Sequence, residues 1–356
     1  MNPRKIAIVA EWLTSRGGAE KVIESLLEIF PDADLYTSVF NKKTFPELAG
    51  KNPRTSYLQK IPVFSSRHQL IAPLLPMAMR RMNLEGYDLV ISSSSSVGKF
   101  VKKSKTATHI CYCHTPMRYA WEPETDPRII KLPLGKFFVR ILKKWDLESN
   151  KSVDYFIANS ANTKERIKKY YNRESVVINP PVDVDKLPEE KKSDFYFCIS
   201  RLVTYKRIDL AVRAAVKLKR KLIVAGDGPE LLNLKNLAEN NSDITILGRI
   251  SDKEKETLYK KARAVIFPAD EDFGIVPVEA NSYGTPVIGY NHGGTTETIK
   301  DGVNGVLFEK QSVDSLCQAI EKFEKMEFDC KIINESAKKF SKENFEKNIK
   351  NFVKSI

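Results

Sequence analysis

Apolar residues in this chain follow two alternating patterns, short continuous runs and stretches with helical spacing. Lys5 to Ala10 (KIAIVA) is a run suited to a buried strand. After the glycine loop Ser15-Arg16-Gly17-Gly18, Val22, Ile23, Leu26, Leu27 and Phe30 recur at helical spacing. They predict a helix from about Ala19 to Phe30. Further strands are predicted at 87–92, 106–113, 153–158 and 176–178, with a basic helix over 161–171. A second series of strands follows at 194–200, 221–225, 244–247, 264–267 and 287–288, with a short edge strand at 305–308. Ser251-x-x-Glu254 has the spacing of a capping box ahead of a helix through Ala262. From Ser312 onward the pattern is helical and increasingly rich in lysine.

Strands that alternate with helices in two successive halves imply an α/β fold with mostly parallel sheets. No fixed-period repeat is visible beyond the two halves, which argues against a solenoid. Asn179-Pro180-Pro181-Val182-Asp183 reads as a stiff crossing, because the prolines fix the backbone. The expected division is a first domain at 1–180, a linker at 181–193, a second domain at 194–330 and terminal helices at 331–356.

The most informative stretch is FPADEDFGIVPVEANSYGTPVIGYNHGG, from Phe267 to Gly294. It reads as strand, loop and helix, with the helix starting near Gly274 and stopped by Gly284 and Pro286. Such a helix start offers unpaired N–H groups and a positive dipole end to an anion such as a diphosphate. Glu271 lies at its mouth, and Glu279 lies one to two turns in. Acids beside a phosphate site are otherwise unwelcome, so hydroxyl recognition is their plainest use. One can hold sugar hydroxyls while the other holds a ribose. For a lone glutamate pair a solvated acidic loop would be the simpler reading. The glycine, the prolines and the Gly-Thr-Pro and His-Gly-Gly turns weigh against it here.

Other candidates stand at predicted strand ends, which face the ligand crevice in an open α/β sheet. Ser92 to Ser96 forms a serine loop, and the strand ending at Cys113 delivers His114 ahead of Pro116. Gly17 and Gly18 make a possible phosphate or acceptor cradle, although G-x-G-x-x-G is absent. Arg201 and Lys206 bracket the loop after the strand at 194–200, where two fixed cations can neutralise a leaving diphosphate. Two D-x-D pairs, Asp183-x-Asp185 and Asp270-x-Asp272, are read as incidental, and no metal site is assigned.

These motifs together resemble glycosyltransferase family 4, whose retaining members share the GT-B architecture. The resemblance runs from Lys5 to about Phe323 and rests on the E-x7-E stretch, on CHTPMRYAW and on SRLVTYKRIDLA. It implies two Rossmann-like domains facing a cleft, transfer without a bound metal or other cofactor, and a nucleotide-sugar donor held mainly by the second domain. It makes Arg201 and Lys206 the phosphate clamp, and places Phe273, Gly274, Ile275, Val276 and Glu279 against the donor. Glu271 and His114 are then the residues at the donor sugar. Gly228 and Arg249 border the nucleotide base, and Gly17 and Gly18 line the donor phosphate or acceptor. The final helix is expected to cross back to the first domain near FSKENF. The closest pattern is that of bacterial mannosyltransferases of polysaccharide assembly, which makes GDP-mannose the first donor choice.

Composition sharpens this in three ways. The 356 residues suffice for two domains with ample core, and 42% apolar with 29% charged content fits a soluble protein. The five cysteines are scattered and are expected as free thiols in a reducing cytoplasm. No apolar run is long enough to span a bilayer, and the opening residues do not read as a signal peptide. The net charge of +13 is uneven: residues 1–185 contribute +10, and residues 54–145 hold 16 basic against 5 acidic residues. Such a surface attracts nucleic acid or an anionic membrane, though a lysine-rich genome gives the same balance.

Within the basic region, 64–82 is apolar with two prolines, and 128–145 alternates basic and apolar patches. Phe137, Phe138, Ile141, Leu142 and Trp145 can share one face, with Lys136, Arg140, Lys143 and Lys144 beside it. That face suits either an anionic membrane or a protein core, and the charge bias tilts the reading to the membrane. A nucleic-acid-binding module is not apparent, and the basic run at 101–105 carries no aromatic residue, so no nucleic-acid partner is expected. The resulting expectation is a retaining, metal-independent hexosyltransferase. It is cytoplasmic, peripheral on the inner face of the cell membrane, and acts on a glycan or polyprenyl-linked acceptor. The alternatives are a UDP-hexose transferase of the same family, a sugar-nucleotide epimerase or a phosphorylase on the same architecture, an inactive sugar-binding homologue and a basic nucleic-acid-binding protein.

Overall fold

The computed structural model describes residues 4–61, 74–124, 131, 133–184, 187, 191–238 and 241–356. Residues 64–73 of the apolar segment, 128–130 and 132 of the basic–apolar segment, and most of the polar linker at 185–190 lie outside these. The chain forms two compact units, Met1–Pro181 with Phe345–Ile356, and Val182–Asn344.

Unit 1 is built on a parallel sheet. Its strands are β1 (Ile6–Ala10), β2 (Asp34–Thr37), β3 (Arg54–Thr55), β5 (Leu89–Ser94), β7 (Thr108–Cys113), β8 (Tyr155–Ala158) and β9 (Ser175–Val177). A two-residue pair, β4 (Asn83–Leu84) with β6 (Lys102–Lys103), stands apart. The sheet order is β3-β2-β1-β5-β7-β8-β9, so the winding reverses between β1 and β5. Strands covered on both faces must be apolar on both, and Ala7, Ile8, Val9 and Val90 are fully buried. The Gly18–Ile29 helix packs Val22, Ile23 and Leu26 onto one side. The same core takes Phe345, Ile349 and Val353 from the terminal Lys342–Lys354 helix. Tyr112 of β7 meets Phe345 edge-on at 5.9 Å, and its hydroxyl donates to the Ile178 carbonyl at 2.8 Å.

Unit 2 repeats the plan with β10 (Tyr196–Ile199), β11 (Leu222–Ala225), β12 (Ile244–Gly248), β13 (Ala264–Phe267), β14 (Val287–Tyr290) and β15 (Gly305–Phe308). All are parallel in the order β12-β11-β10-β13-β14-β15, with the reversal between β10 and β13. The capping box forms as the spacing implies, with Ser251 Oγ accepting from the Glu254 N–H. The lysine-rich end is three separate helices, Val313–Glu324, Cys330–Ala337 and Lys342–Lys354.

One local reading differs from the sequence expectation. The serine stretch is not a loop from Ser92. Strand β5 continues through Ser94, because each hydroxyl finds a partner beside the sheet: Ser92 with His109 Nε2 at 2.8 Å, Ser93 with His114 Nε2 at 2.7 Å, Ser94 with Glu11 Oε1 at 3.1 Å. The Gly135–Ser149 helix exposes its aromatic residues, the side that the sequence reading favoured over the core. Its buried stripe is Gly135, Val139, Asp146 and Ser149. Phe137, Phe138 and Trp145 are 57%, 46% and 40% exposed, while Ile141 is half-buried and Leu142 packs against the core, so the core takes only part of that face.

An ion pair explains this rotation. Asp146 and Lys99 are buried against each other, and Asp146 Oδ2 also accepts from Trp121 Nε1 at 2.7 Å and from the Tyr171 hydroxyl at 2.8 Å. A buried pair with several added hydrogen bonds fixes geometry, and removal of one member strands the other charge. Asp146→Ala is therefore expected to lower unfolding stability by about 3–5 kcal/mol in urea titrations. A loss under about 1 kcal/mol, the scale of an exposed pair, would show that this network does not anchor the helix.

Candidate active site

In an open parallel sheet, ligands bind outside the carboxyl ends of the strands where the winding reverses. In unit 2 that place is shared by the loop after β10, with Arg201 and Lys206, and the loop after β13, with Glu271. The short turn Thr204–Lys206 brings the Lys206 ammonium into an ion pair with the Glu271 carboxylate. Their side chains are 16% and 23% exposed, so the pair is partly withdrawn from water. Arg201, at the end of β10, is exposed.

The loop after β13 turns into the Ile275–Ser282 helix through Gly274, whose φ of 79° lies in the left-handed region. No side chain caps this helix start. Pro277 has no N–H, so the first-turn donors are those of Ile275 and Val276. Glu279 faces a different set of partners. Tyr259 donates its hydroxyl to Glu279 Oε2 at 3.1 Å, and Lys255 Nζ lies 3.8 Å from the other oxygen. Burial pushes the Tyr259 phenol well above its ordinary value, and the Glu279 charge adds to this, so Tyr259 stays a donor.

Two glycines fix where the Glu271 loop can run. The Gly294 N–H donates to the Glu271 carbonyl at 2.8 Å. A Cβ on Gly294 would fall 2.3 Å from Phe273 Cα, and one on Gly293 would fall 2.5 Å from the Glu271 carbonyl oxygen. The His-Gly-Gly turn is thus the bed of the loop. Phe273 is buried and meets Phe340 edge-on at 5.4 Å, so it can serve a ligand only through its backbone. Gly228 is likewise a point of close approach, since a Cβ there would lie 2.3 Å from the Leu202 carbonyl oxygen. Arg249 is exposed and follows Gly248, whose carbonyl accepts from the Gly226 N–H at 2.8 Å. Asp270 of the second D-x-D pairs with His292 Nδ1 at 3.0 Å. Among the described residues no cluster of three or more potential metal ligands forms.

In unit 1 the reversal lies between β1 and β5, and there the chain supplies its own anion. Glu11 follows β1, and its Oε1 accepts the N–H groups of Ser95, Ser96, Val97 and Gly98 at 3.1, 2.5, 2.5 and 2.9 Å. Its Oε2 accepts from Ser95 Oγ at 2.7 Å. The backbone cradle that could hold a ligand phosphate is therefore filled by Glu11. Beside it is a cavity of about 40 Å³, lined among others by Glu11, Trp12, Glu20, Ser93 and His114. That is room for a single hydroxyl or water. Gly17 caps the Gly18–Ile29 helix next to this cavity, with Glu20 in the helix's first turn. Burial raises the Glu20 carboxyl to about 7; backbone hydrogen bonds from Glu20 and Gly17 oppose this, and the charges of Glu11 and Glu24 reinforce it. His109 differs from His114: buried between Ser92 and the Ser152 carbonyl, it is pushed down to about 4 by desolvation and is structural.

Comparisons with known proteins give the family. Residues 16–186 match the family model described as Glycosyltransferase Family 4, and residues 179–345 match Glycosyl transferases group 1. The chain belongs to glycosyltransferase family 4. This glycosyltransferase is 27% identical over 300 residues to the alpha-1,3/1,6-mannosyltransferase ALG2 of Saccharomyces cerevisiae, covering 68% of this chain and 58% of that protein. It is 31% identical over 139 residues to a GDP-mannose-dependent phosphatidylinositol monomannoside mannosyltransferase of Mycobacterium tuberculosis, covering 35% and 36%. The Anabaena protein HepE, solved with UDP and glucose, superposes with a TM-score of 0.72 at 18% identity, covering 99% and 100%. The glycosyltransferase has the GT-B fold, with a Rossmann-like domain in each unit.

The sequence reading passed over Glu11, Glu20, Tyr259 and Gly294. A signal existed for two of them. Glu11 is the first polar residue after a buried strand, and Glu20 stands two residues after Gly18 in a helix's first turn. The Glu20 environment is testable. A carboxyl that holds its proton more tightly when folded contributes fully below its unfolded value of 4.5, and loses that contribution as pH rises through about 7. Glu20→Gln should thus gain on the wild-type glycosyltransferase by on the order of 2–3 kcal/mol between pH of about 4.5 and about 8. Urea unfolding at the two pH values measures this, and a constant difference would refute the burial assignment.

Proposed function

We propose that this glycosyltransferase moves a hexose, with retention and without a metal, from a nucleoside diphosphate sugar to a hydroxyl. The paired Lys206 and Glu271 at the β10–β13 reversal carry the reading. A donor brings a diphosphate for the cation and sugar hydroxyls for the acid, so one ligand answers both members. The diphosphate lies against Lys206, Arg201 and the N–H groups of Ile275 and Val276, where preorganised donors stabilise the charge that develops on departure. Glu279, steadied by Tyr259, takes the ribose hydroxyls. Glu271 and His114 position the hexose. Gly228 and Arg249 border the base, and Gly17 and Gly18 lie toward the acceptor. As the sugar gains oxocarbenium character, the acceptor hydroxyl attacks from the leaving-group face. Its proton passes to the departing phosphate, which leaves no covalent role for a side chain.

GDP-mannose is the favoured donor, supported by the mannosyltransferase relatives named above. A UDP-hexose is the second reading, because the similar fold of HepE was solved with UDP and glucose. The acceptor is a glycan, either free or linked to a polyprenyl lipid, in surface polysaccharide assembly. The lipid-linked form is supported by the outward Phe137, Phe138 and Trp145 on a helix that also exposes Lys136, Arg140 and Lys144. Among the described residues no helix is long and apolar enough to cross a membrane.

Calorimetric titration with GDP, UDP and ADP separates the donors. The expected result is tightest binding of GDP, weakened at least about tenfold in Glu279→Ala by loss of charge-assisted hydrogen bonds to the ribose. A UDP preference moves the donor to a UDP-hexose. Binding of none of the three removes the basis of the active-site assignment. Lys206→Ala is expected to lower kcat/KM by about 10²-fold, as for loss of one preorganised donor. A value within about threefold of wild type would remove Lys206 from the clamp.

A further inference from the structure

The basic run at 101–105 has no part in the site above. In the structure it lines a groove of about 460 Å³ in unit 1. Four cations border it: Arg80 from the end of the Leu75–Arg80 helix, and Lys102, Lys103 and Lys105. Phe100 and Val101 supply buried apolar wall. Glu148 is the one carboxylate among the lining residues, and it already faces Lys151 at 2.8 Å. Lys103 is held by Asp154 at 3.0 Å. Among the described residues no carboxylate forms an ion pair with Arg80, Lys102 or Lys105. A groove walled by several cations and one neutralised acid favours an anion with multiple acceptor oxygens.

The groove's position narrows the class of anion. It lies where two helices end that carry exposed apolar residues. Leu74, the N-cap of one helix, and Met77 within it, 43% and 50% exposed, precede Arg80 at three-residue steps. On the other, Phe137, Ile141, Lys144 and Glu148 succeed one another at four-, three- and four-residue steps, which is one line along a helix. Phe137 and Glu148 are eleven residues apart in the chain, and thus about 16 Å apart along the axis. An interfacial helix lies in the plane of the headgroups with its aromatic side chains at the acyl boundary. Such a placement brings the groove to headgroup level.

We infer that this groove is a headgroup site that takes the phosphate of an anionic lipid, with Lys102, Lys105 and Arg80 as its ligands. The inference rests on the membrane-facing reading of the Gly135–Ser149 helix, and assigns to that face a discrete phosphate site. Its expected partner is a glycerophospholipid with a net negative headgroup. Charge attraction spread over the whole basic unit would predict no such dependence on particular lysines.

Flotation of the full chain with vesicles tests this, using phosphatidylcholine alone and an equimolar mixture with phosphatidylglycerol. The expected result is binding to the mixed vesicles, weakened at least about tenfold in Lys102→Glu/Lys105→Glu. Lys42→Glu/Lys43→Glu makes the same change of net charge at exposed positions outside the groove, and should weaken binding less than about threefold. Equal losses in the two double variants would overturn the site. Phe137→Ser/Phe138→Ser reads the helix face separately. If it abolishes flotation while the groove variant does not, the membrane reading stands and the headgroup site falls. If the wild type floats with neither vesicle, but glycerol 1-phosphate binds in calorimetry and is lost in the groove variant, the groove serves a soluble phosphate and the lipid assignment is overturned. Unchanged melting temperature and nucleotide binding in each variant exclude misfolding as the cause.

Discussion

Glu11 does in unit 1 what a bound anion does in many Rossmann-like domains. Its carboxylate gathers four successive backbone N–H groups of the turn after β5. Such groups cannot be left dry and unpaired, since each costs a substantial fraction of a domain's net stability. The turn sets the end of β5, the position of Ser93 and Ser94, and through Ser93 the orientation of the His114 ring. The turn also leads into Lys99, whose ammonium is buried on Asp146 and so fixes the roll of the Gly135–Ser149 helix. From one carboxylate, the positions of the cavity beside His114 and of the exposed aromatic face both follow.

The two units solve the same problem in opposite ways. Each has a parallel sheet whose winding reverses, and each offers polar backbone at that reversal. Unit 1 fills the place with its own glutamate. Unit 2 leaves the start of the Ile275–Ser282 helix without a side-chain cap and sets a lysine opposite a glutamate beside it. A cradle already occupied by its own acid is suited to hold shape, and an uncapped helix start is suited to hold a ligand.

Much of the fold was legible because strands buried on both faces leave continuous apolar runs, and the helices between them leave helical spacing. β10, β11 and β13, and the helix after Gly274, stand within a residue or two of their expected places. Elements defined by distant partners were not legible. β3, β4 and β6 are two residues each and carry no periodic signal. The roll of the Gly135–Ser149 helix was hidden because Asp146, a charged residue, is its most deeply buried side chain, and Lys99, Trp121 and Tyr171, all far away in sequence, make that tolerable. In the candidate site, the resemblance to the family is what assigned the loops after β10 and β13 to one donor. That Lys206 would pair with Glu271 depends on the order in which the strands lie, which spacing does not encode.

In the donor site proposed above, the Lys206–Glu271 pair would also bear on what leaves after a turnover. A nucleoside diphosphate would draw Lys206 to its phosphates but bring nothing to Glu271, and a partly buried carboxylate would lose its counter-ion. An intact nucleotide sugar would bring hydroxyls to that carboxylate in the same event. The resting ion pair would then tax the spent nucleotide more than the fresh one, and its re-formation would help to expel it. On that proposal the pair would act as a return spring that limits product inhibition.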